Sequence, residues 1–333
     1  METITLSIQE LTDLVKAILV AHNTAEGNAD EVAAALVAAE VDGQRGHGLS
    51  RVASYSAQAR SGKVNGQTEP SVDKTAPSLL RVDANHGFAF PAFSRAIDEL
   101  ITTAKETGVA MAAITHSHHC GVMGHHVEKL ANAGLIGLVF SNSPKAIAPW
   151  GGKDAVFGTN PIAFAVPRAR KPPLVIDMSL SKVARGKIKV AAEEGNPIPE
   201  GWALDPEGQA TTDAKAAVSG TMLPMGDGKG AALVLMVEIL SAALTASHFG
   251  FEASSFFDAE GASPDIGQLI IAISPGPLSG GQFAERLETL FSAILEQPGT
   301  RLPGSGKAAM RKKAEQDGIE INQTVHEGLL KLR

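Results

Sequence analysis

Gly226-Asp227-Gly228-Lys229-Gly230 is the stretch on which the choice of fold turns. It is the nearest approach in the chain to the G-x-G-x-x-G of a Rossmann dinucleotide site, and it lacks the third spacing. No convincing strand runs into it, although the apolar residues behind it, 230–246, predict a buried helix. Gly304-Ser305-Gly306-Lys307 resembles a phosphate loop only in part, with no glycine in register upstream and no Ser or Thr after Lys307. Both standard nucleotide signatures therefore fail. A glycine turn feeding a helix N-terminus still suits a phosphate at Lys229-Gly230, because free backbone N–H groups and the helix dipole point there. An ordinary helix entry with a solvated lysine fits the same five residues.

Composition narrows the field. The chain has 333 residues, enough for two domains at roughly 150 residues each. Hydrophobic residues are 44% and charged ones 20%, which supplies a large core and excludes wholesale disorder. With 29 basic and 36 acidic residues the net charge is −7, a poor match for nucleic acid or an anionic membrane surface. The single cysteine, Cys120, excludes a disulfide framework and an all-cysteine zinc site and suits a reducing compartment. Residues 1–4 lack the basic and apolar regions of a signal peptide, and 230–246 is interrupted by Glu238 and short for a bilayer span. A cytoplasmic protein is expected.

Helices dominate both ends. Ser7-Ile8-Gln9-Glu10 reads as a capping box ahead of Leu11, Leu14, Val15, Ile18 and Leu19 at helical spacing. Asn28-Ala29-Asp30-Glu31 repeats the device before an alanine-rich helix that stops near Gly43. A further helix is predicted from Ser50 to Ser61, ending at Gly62, and another from Pro91 to Gly108. Between them 63–78 reads as a polar stretch. Strands are predicted at 79–82, 109–114, 135–140, 162–166, 174–176 and 269–273, with helices near 122–133, 179–194, 229–246 and 281–297. The last 30 residues, with Arg311, Lys312, Lys313 and Lys331, read as exposed terminal helices.

Five of the ten histidines fall between His116 and His126. Imidazole is the commonest metal ligand, but neighbouring residues on a strand face opposite ways, so His118 and His119 do not converge on one ion there. No H-E-x-x-H or C-x-x-C spacing exists, and no metal is expected. His47 sits apart in the turn Asp42-Gly43-Gln44-Arg45-Gly46-His47-Gly48, with Arg51 four residues on. A residue titrating near neutrality beside a permanent cation suits an anionic substrate that gains or loses a proton. A helix-capping histidine and an arginine paired with a surface carboxylate fit the same spacing.

The motifs, taken together and in order, resemble one family. His47-Gly48-Leu49-Ser50-Arg51, Ser117-His118-His119, Phe157-Gly158-Thr159-Asn160-Pro161-Ile162-Ala163-Phe164, Ile176-Asp177-Met178-Ser179, Ala184-Arg185-Gly186-Lys187 and 226–230 match the malate/L-lactate dehydrogenase-like oxidoreductases, which are unrelated to the Rossmann lactate dehydrogenases. The resemblance runs from about residue 5 to 330. It implies a mixed α/β, non-Rossmann NAD(P)-binding sheet domain at 76–297, a helical substrate and dimerisation domain built from 1–75 and 298–333, and a homodimer. It further implies that His47 exchanges the proton, that Arg51 grips the substrate carboxylate, and that Thr159, Arg185 and Gly186 lie near the substrate. The cofactor, NADPH with NADH as the second option, would be lined by His119, Cys120, Gly121, Val122, Met123, Asp177, Met178, Ser179, Lys229, Gly230, Arg301, Leu302, Pro303, Gly304, Ser305, Gly306 and Lys307.

Within the family the chain looks closest to the Δ1-piperideine-2-carboxylate/Δ1-pyrroline-2-carboxylate reductases, through Ser117-His118-His119, Leu223-Pro224-Met225-Gly226, Met236-Val237-Glu238, Phe249-Gly250-Phe251-Glu252 and Arg301-Leu302-Pro303-Gly304. It departs from them at Gly46, where they carry serine, and at Lys187, where they carry aspartate; Arg185-Gly186-Lys187 is the hydroxy-acid pattern. The expected reaction is reduction of a small cyclic 2-imino carboxylate to proline or pipecolate. Oxidation of a linear 2-hydroxy acid (malate, lactate, sulfolactate or ureidoglycolate) is the alternative, and a histidine-rich metal- or metabolite-binding protein is the alternative of another class.

Overall fold

Ser7 starts the first long helix as its spacing predicts. Its hydroxyl accepts the Glu10 amide at 3.2 Å and its own amide donates to Glu10 Oε2 at 2.8 Å, so two free N–H groups are satisfied together. The computed structural model describes residues 2–333. Strand Thr3–Leu6 (β1) precedes this helix, Ile8–Ala21 (α1), and Glu26–Val41 (α2) follows. The capping box expected at Asn28 is not used, because α2 begins at Glu26 and takes Asn28 inside it. The Asn28 amide instead donates to the carbonyl oxygens of Gly66 and Thr68, both at 2.8 Å, and so ties α2 to a distant loop. Two 3₁₀ turns then carry the glycine-rich connection to Val52–Ser61 (α3), which ends at Gly62 with φ +82° as predicted.

The polar stretch after α3 hides a strand. Ser71–Ala76 (β2) forms a hairpin with Leu79–Asp83 (β3), followed by Ala89–Thr107 (α4), Val109–Ser117 (β4), Met123–Asn132 (α5), Ile136–Ser141 (β5), Ile162–Arg168 (β6) and Lys171–Met178 (β7). The next elements are Arg185–Glu194 (α6), the short strand Ala203–Leu204 (β8), Ala214–Ser219 (α7), the short strand Thr221–Met222 (β9) and Asp227–Glu238 (α8). The chain then returns through Ile266–Ile273 (β10). Pro275–Ser279 (α9), Phe283–Leu295 (α10), Lys307–Asp317 (α11), Ile319–Asn322 (β11) and Gln323–Leu330 (α12) complete the order. The helix expected over 179–194 starts only at Arg185, leaving 179–184 as a loop.

Seven strands form one mixed sheet in the order β2-β3-β4-β10-β5-β6-β7, with β3 and β4 parallel and every other pair antiparallel. This is a mixed α/β fold without a Rossmann sheet. The late strand β10 enters the middle of the sheet, which explains why its residues read as one continuous apolar run. Ile270 and Ala272 face Phe93, Ile97 and Leu100 of α4 and Val127 and Leu130 of α5, while Leu269 faces Val234 and Val237 of α8. Burying each such side chain contributes roughly 1.5–3 kcal/mol.

A separate apolar cluster joins the two ends of the chain. Leu11, Val15, Ile18 and Leu36 pack with Ala314, Ile319, Ile321 and Leu329, and β1 pairs antiparallel with β11. The C-terminal segment, expected to be exposed helices, thus contains a buried strand. Arg311, expected on the surface, is half-buried between Asp42 and Glu128. Among the described residues no helix is long and apolar enough to cross a membrane.

Candidate active site

One backbone excursion carries three of the side chains that meet here. Gly48 lies so tightly on α2 that a Cβ would stand 2.4 Å from Glu40 Oε2 and 3.2 Å from the Leu36 carbonyl oxygen, so glycine alone lets the turn reach its place. That puts His47 at the end of one 3₁₀ turn, Arg51 at the end of the next and Tyr55 one helical turn further along α3. His47 stacks on His119 with ring centroids 5.2 Å apart and planes 12° from parallel. The Tyr55 hydroxyl is hydrogen-bonded to His119 Nδ1. Burial pushes the Tyr55 hydroxyl up and the His119 ring down, so neutral tyrosine is the donor and neutral histidine the acceptor.

His47 is held neutral. Burial, then the charge of Arg51, then that of His125 lowers it to about 4, and no carboxylate pairs with it. Lys187 is exposed on α6 and takes no part in the shift. Nδ1 of His47 is buried without a partner among the described residues, so the ring keeps hydrogen-bonding capacity that the chain does not use. Nothing stands within 4 Å of a Cβ built at Gly46, so a serine there would fit and its absence is a chemical difference, not a steric one.

Arg51 does not pair with a surface carboxylate. Its Nε donates to the Gly46 carbonyl oxygen at 2.8 Å, which fixes the fork, and one terminal nitrogen is buried with no acceptor among the described residues. Its guanidinium lies 4.5 Å from the centroid of the Phe257 ring, and Lys189 Nζ lies 4.5 Å from the same centroid. Phe256 closes the other side, 5.1 Å from His119 and 5.4 Å from His118. The Phe256-Phe257 segment is anchored from α3 and the residues after it: Lys63 Nζ donates to the Ser255 carbonyl oxygen and pairs with Asp258 at 3.0 Å, and Gln58 donates to the Asp258 carbonyl oxygen. Tyr55, Lys63, Lys189, Phe256 and Phe257 were not singled out by the sequence motifs. The adjacent phenylalanines between Ser255 and Asp258, in a chain only 5% aromatic, were the available signal.

The segments expected around a dinucleotide lie in two groups against the end of β7. In the first, Gly124 N–H donates to Asp177 Oδ2 at 2.7 Å, and a Cβ at Gly304 would stand 3.2 Å from the Val175 carbonyl oxygen, so 120–124, 175–178 and 301–307 are in contact. Residues 301–307 with Met310 enclose a recess of about 400 Å³. In the second, Met225 N–H donates to the Leu180 carbonyl oxygen at 2.8 Å, which sets the start of α8 beside Ser179 and Ser181. Gly226 caps α8 at φ +68° with no side-chain bond, and a Cβ at Gly230 would stand 1.5 Å from the Met225 carbonyl oxygen. An uncapped helix start with a compulsory glycine and an exposed lysine fits a phosphate group. Thr159 accepts the Leu180 amide through its carbonyl oxygen, and Arg185 and Gly186 open α6 in exposed positions; none of the three touches His47.

His118 is different again. It is fully buried among Tyr55, Phe88 and Phe256 with neither ring nitrogen partnered, and burial pushes it down to about 3. Among the described residues no three His, Cys, Asp or Glu side chains form a set able to hold a metal ion.

A non-Rossmann mixed sheet carries a half-buried histidine and arginine side by side and a glycine-started helix packed against it, and the chain's likeness to known proteins makes it an NAD(P)-dependent oxidoreductase. The malate/L-lactate dehydrogenase family profile matches residues 6–330, and the chain belongs to that family. A (2R)-3-sulfolactate dehydrogenase (NADP(+)) from Chromohalobacter salexigens is 52% identical over 320 residues, covering 96% of this chain and 95% of that protein. A Δ1-pyrroline-2-carboxylate/Δ1-piperideine-2-carboxylate reductase from Pseudomonas aeruginosa is 40% identical over 332 residues, covering 99% of each. The solved Δ1-piperideine-2-carboxylate reductase of Pseudomonas syringae pvar. tomato superposes with a TM-score of 0.94 at 38% identity, covering 99% of this chain and 100% of that one.

Proposed function

We propose that the chain is an NADP-dependent dehydrogenase of a linear 2-hydroxy acid, interconverting the hydroxy acid with its 2-oxo acid. The observation that carries the reading is the cationic, carboxylate-free setting of His47. A protonated cyclic imine carries positive charge at its nitrogen, and the setting of His47 beside Arg51 offers no anionic protein group to offset that charge, although its carboxylate would suit Arg51 as well as a hydroxy acid's does. A hydroxy acid carries only negative charge. Arg51, with a buried donor lacking any acceptor among the described residues, would take its carboxylate as a fork. His47, neutral at physiological pH, would accept the hydroxyl proton during oxidation and return it during reduction. When bound, the nicotinamide exchanges hydride with C2. Thr159, from the segment before β6, and Arg185 and Gly186, at the start of α6, would flank the substrate.

The cofactor would lie along 119–123 and 177–179, with Lys229 and Gly230 at one phosphate and 301–307 over it. Arg301 is the better cation for an extra 2′-phosphate, since it enters no ion pair among the described residues while Lys307 already faces Asp42 at 3.5 Å. The sulfolactate relative named with NADP(+) supports both substrate class and cofactor. The outward side of α8 and the turn after it exposes Leu235, Met236, Ile239 and Leu244, a surface suited to a second copy of the chain. Two bodies, a sheet domain from β2 through α10 and a helical body from both ends, are the division we adopt. The free thiol of Cys120 accords with a cytoplasmic setting.

A second reading has its own support. The aromatic wall of Phe256 and Phe257 suits a cyclic imine ring, and the reductase relatives are named for such substrates. A panel of 3-sulfolactate, malate, lactate and the two cyclic imines, followed by nicotinamide absorbance, tests the proposal. Turnover of a 2-hydroxy acid well above the imines is the expected outcome; turnover of the imines alone refutes it.

A further inference from the structure

We infer that Lys189 is a specificity-determining residue: together with Arg51, across the ring of Phe257, it forms a two-cation clamp for a substrate carrying a second anionic group beside the 2-hydroxy carboxylate. This rests on the 2-hydroxy-acid reading above and narrows it to dianions such as 3-sulfolactate or malate.

Three observations carry the clamp. The guanidinium of Arg51 and the ammonium of Lys189 each lie 4.5 Å from one ring centroid, which places two positive groups from distant parts of the chain within two ring contacts of each other. Neither enters an ion pair with a carboxylate among the described residues, whereas Lys63, Arg168 and Arg311 do. Bringing like charges together without neutralising them is unfavourable, and contact with an aromatic face offsets only part of that. The ring itself is not held by its own burial. Phe257 is 57% exposed, and it is presented by the fixed residues on either side of it, Phe256 in the core and Asp258 tied to Lys63 and Gln58.

A monoanion satisfies one cation of such a pair; a dianion satisfies both. With its carboxylate on Arg51, a three-carbon acid would direct its C3 substituent away from that guanidinium, and the clamp requires it to reach the ammonium of Lys189, 4.5 Å from the same ring centroid. A sulfonate or second carboxylate there would take the ammonium as partner, whereas the methyl group of lactate would leave it bare. Lys187 and Arg185, exposed on the same end of α6, strengthen the local positive potential and add to the attraction.

The test compares the parent with Lys189→Gln, which removes the charge and keeps a polar though shorter side chain, and Lys189→Arg, which keeps the charge. Values of kcat/KM are measured on 3-sulfolactate and malate as dianions and on lactate as the monoanion. The clamp predicts a loss of about 10- to 100-fold on the dianions for Lys189→Gln, the scale of one charge-assisted hydrogen bond. It also predicts a change within about twofold on lactate and recovery in Lys189→Arg. An equal loss on dianion and monoanion, or no loss on either, overturns it. A parent that turns over no 2-hydroxy acid refutes the broader reading instead. Inhibition of its imine reduction then judges the clamp: 3-sulfolactate must inhibit more strongly than lactate in the parent and lose that advantage in Lys189→Gln, and equal inhibition in the parent overturns the inference.

Discussion

Replacing Asp42 with asparagine should loosen the join between the catalytic turn and the C-terminal segment. Asp42 sits just before that turn with a fully buried side chain. It accepts from Arg311 Nε and Nη2, both at 2.7 Å, pairs with His125 Nε2 at 2.9 Å and faces Lys307 Nζ at 3.5 Å. Burial alone would raise its carboxyl, but the hydrogen bonds from Arg311 and His125 outweigh this and hold it well below the usual carboxylate range. Breaking a wholly buried ion pair costs ~3–5 kcal/mol. The Arg311 side chain is 34% exposed and keeps its fork on Glu128, which brings the figure down to roughly 2–3 kcal/mol. At about 2 °C per kcal/mol for a chain of this size, Tm should fall by about 4–6 °C, read by calorimetry. The folded pKa lies below the unfolded value of about 3.9, so the contribution is complete above that value and is lost as pH falls below it. The gap in Tm between parent and D42N should therefore be constant above about pH 5 and close in acid. Glu128→Gln, at a more exposed partner, should cost less. A D42N protein melting within a degree of the parent, or one outdone by Glu128→Gln, would refute this account of the network.

Three further outcomes follow from the proposed roles of His47 and Arg51. On the proposal that the neutral ring of His47, its pKa lowered to about 4, accepts the proton, kcat/KM for oxidation should stay level from mid-acid to neutral pH and drop only as pH falls through about 4. His47→Ala should lose roughly 10²–10⁴ in kcat on a 2-hydroxy acid, measured at saturating cofactor. Arg51→Lys keeps the charge but not the fork, so kcat/KM should fall by ~10- to 100-fold. Its cofactor dissociation constant, read by fluorescence titration, should match that of the parent.

Local signals were legible where the residue's own backbone decides the structure. Ser7 with Glu10, Gly62 and Gly108 mark helix ends in the sequence and in the fold, because capping chemistry acts over three or four residues. Asn28 misled for the opposite reason: its side chain serves a contact 38 residues away, which no local pattern encodes. Strands β2 and β11 were hidden because β2 is a solvated edge and β11 is only four residues between two helices. Near the site, His47 and Arg51 stood out by their glycine-rich turn. Phe257 and Lys189 did not, since what matters about them is a meeting across about 70 residues of sequence that only the anchored loop at Lys63 and Asp258 brings about.

The ribbon formed by β1 and β11 has a bearing on how the molecule is made. Thr3 Oγ1 donates to Glu320 Oε1 across a separation of 317 positions, so the apolar sides of α1 and α2 find their closing strand only when the last part of the chain has been synthesised. Closing a loop of that length carries an entropic penalty that grows only with the logarithm of its size, but the search is slow, and until it ends the first helices present Leu11, Val15 and Ile18 to their surroundings. The seven-stranded sheet has its last strand, β10, some fifty residues earlier, so it can be complete on the ribosome while the first helices still wait. Vectorial synthesis thus imposes an order on the molecule: the seven-stranded sheet matures before the turn that bears His47 is locked to Arg311 through Asp42.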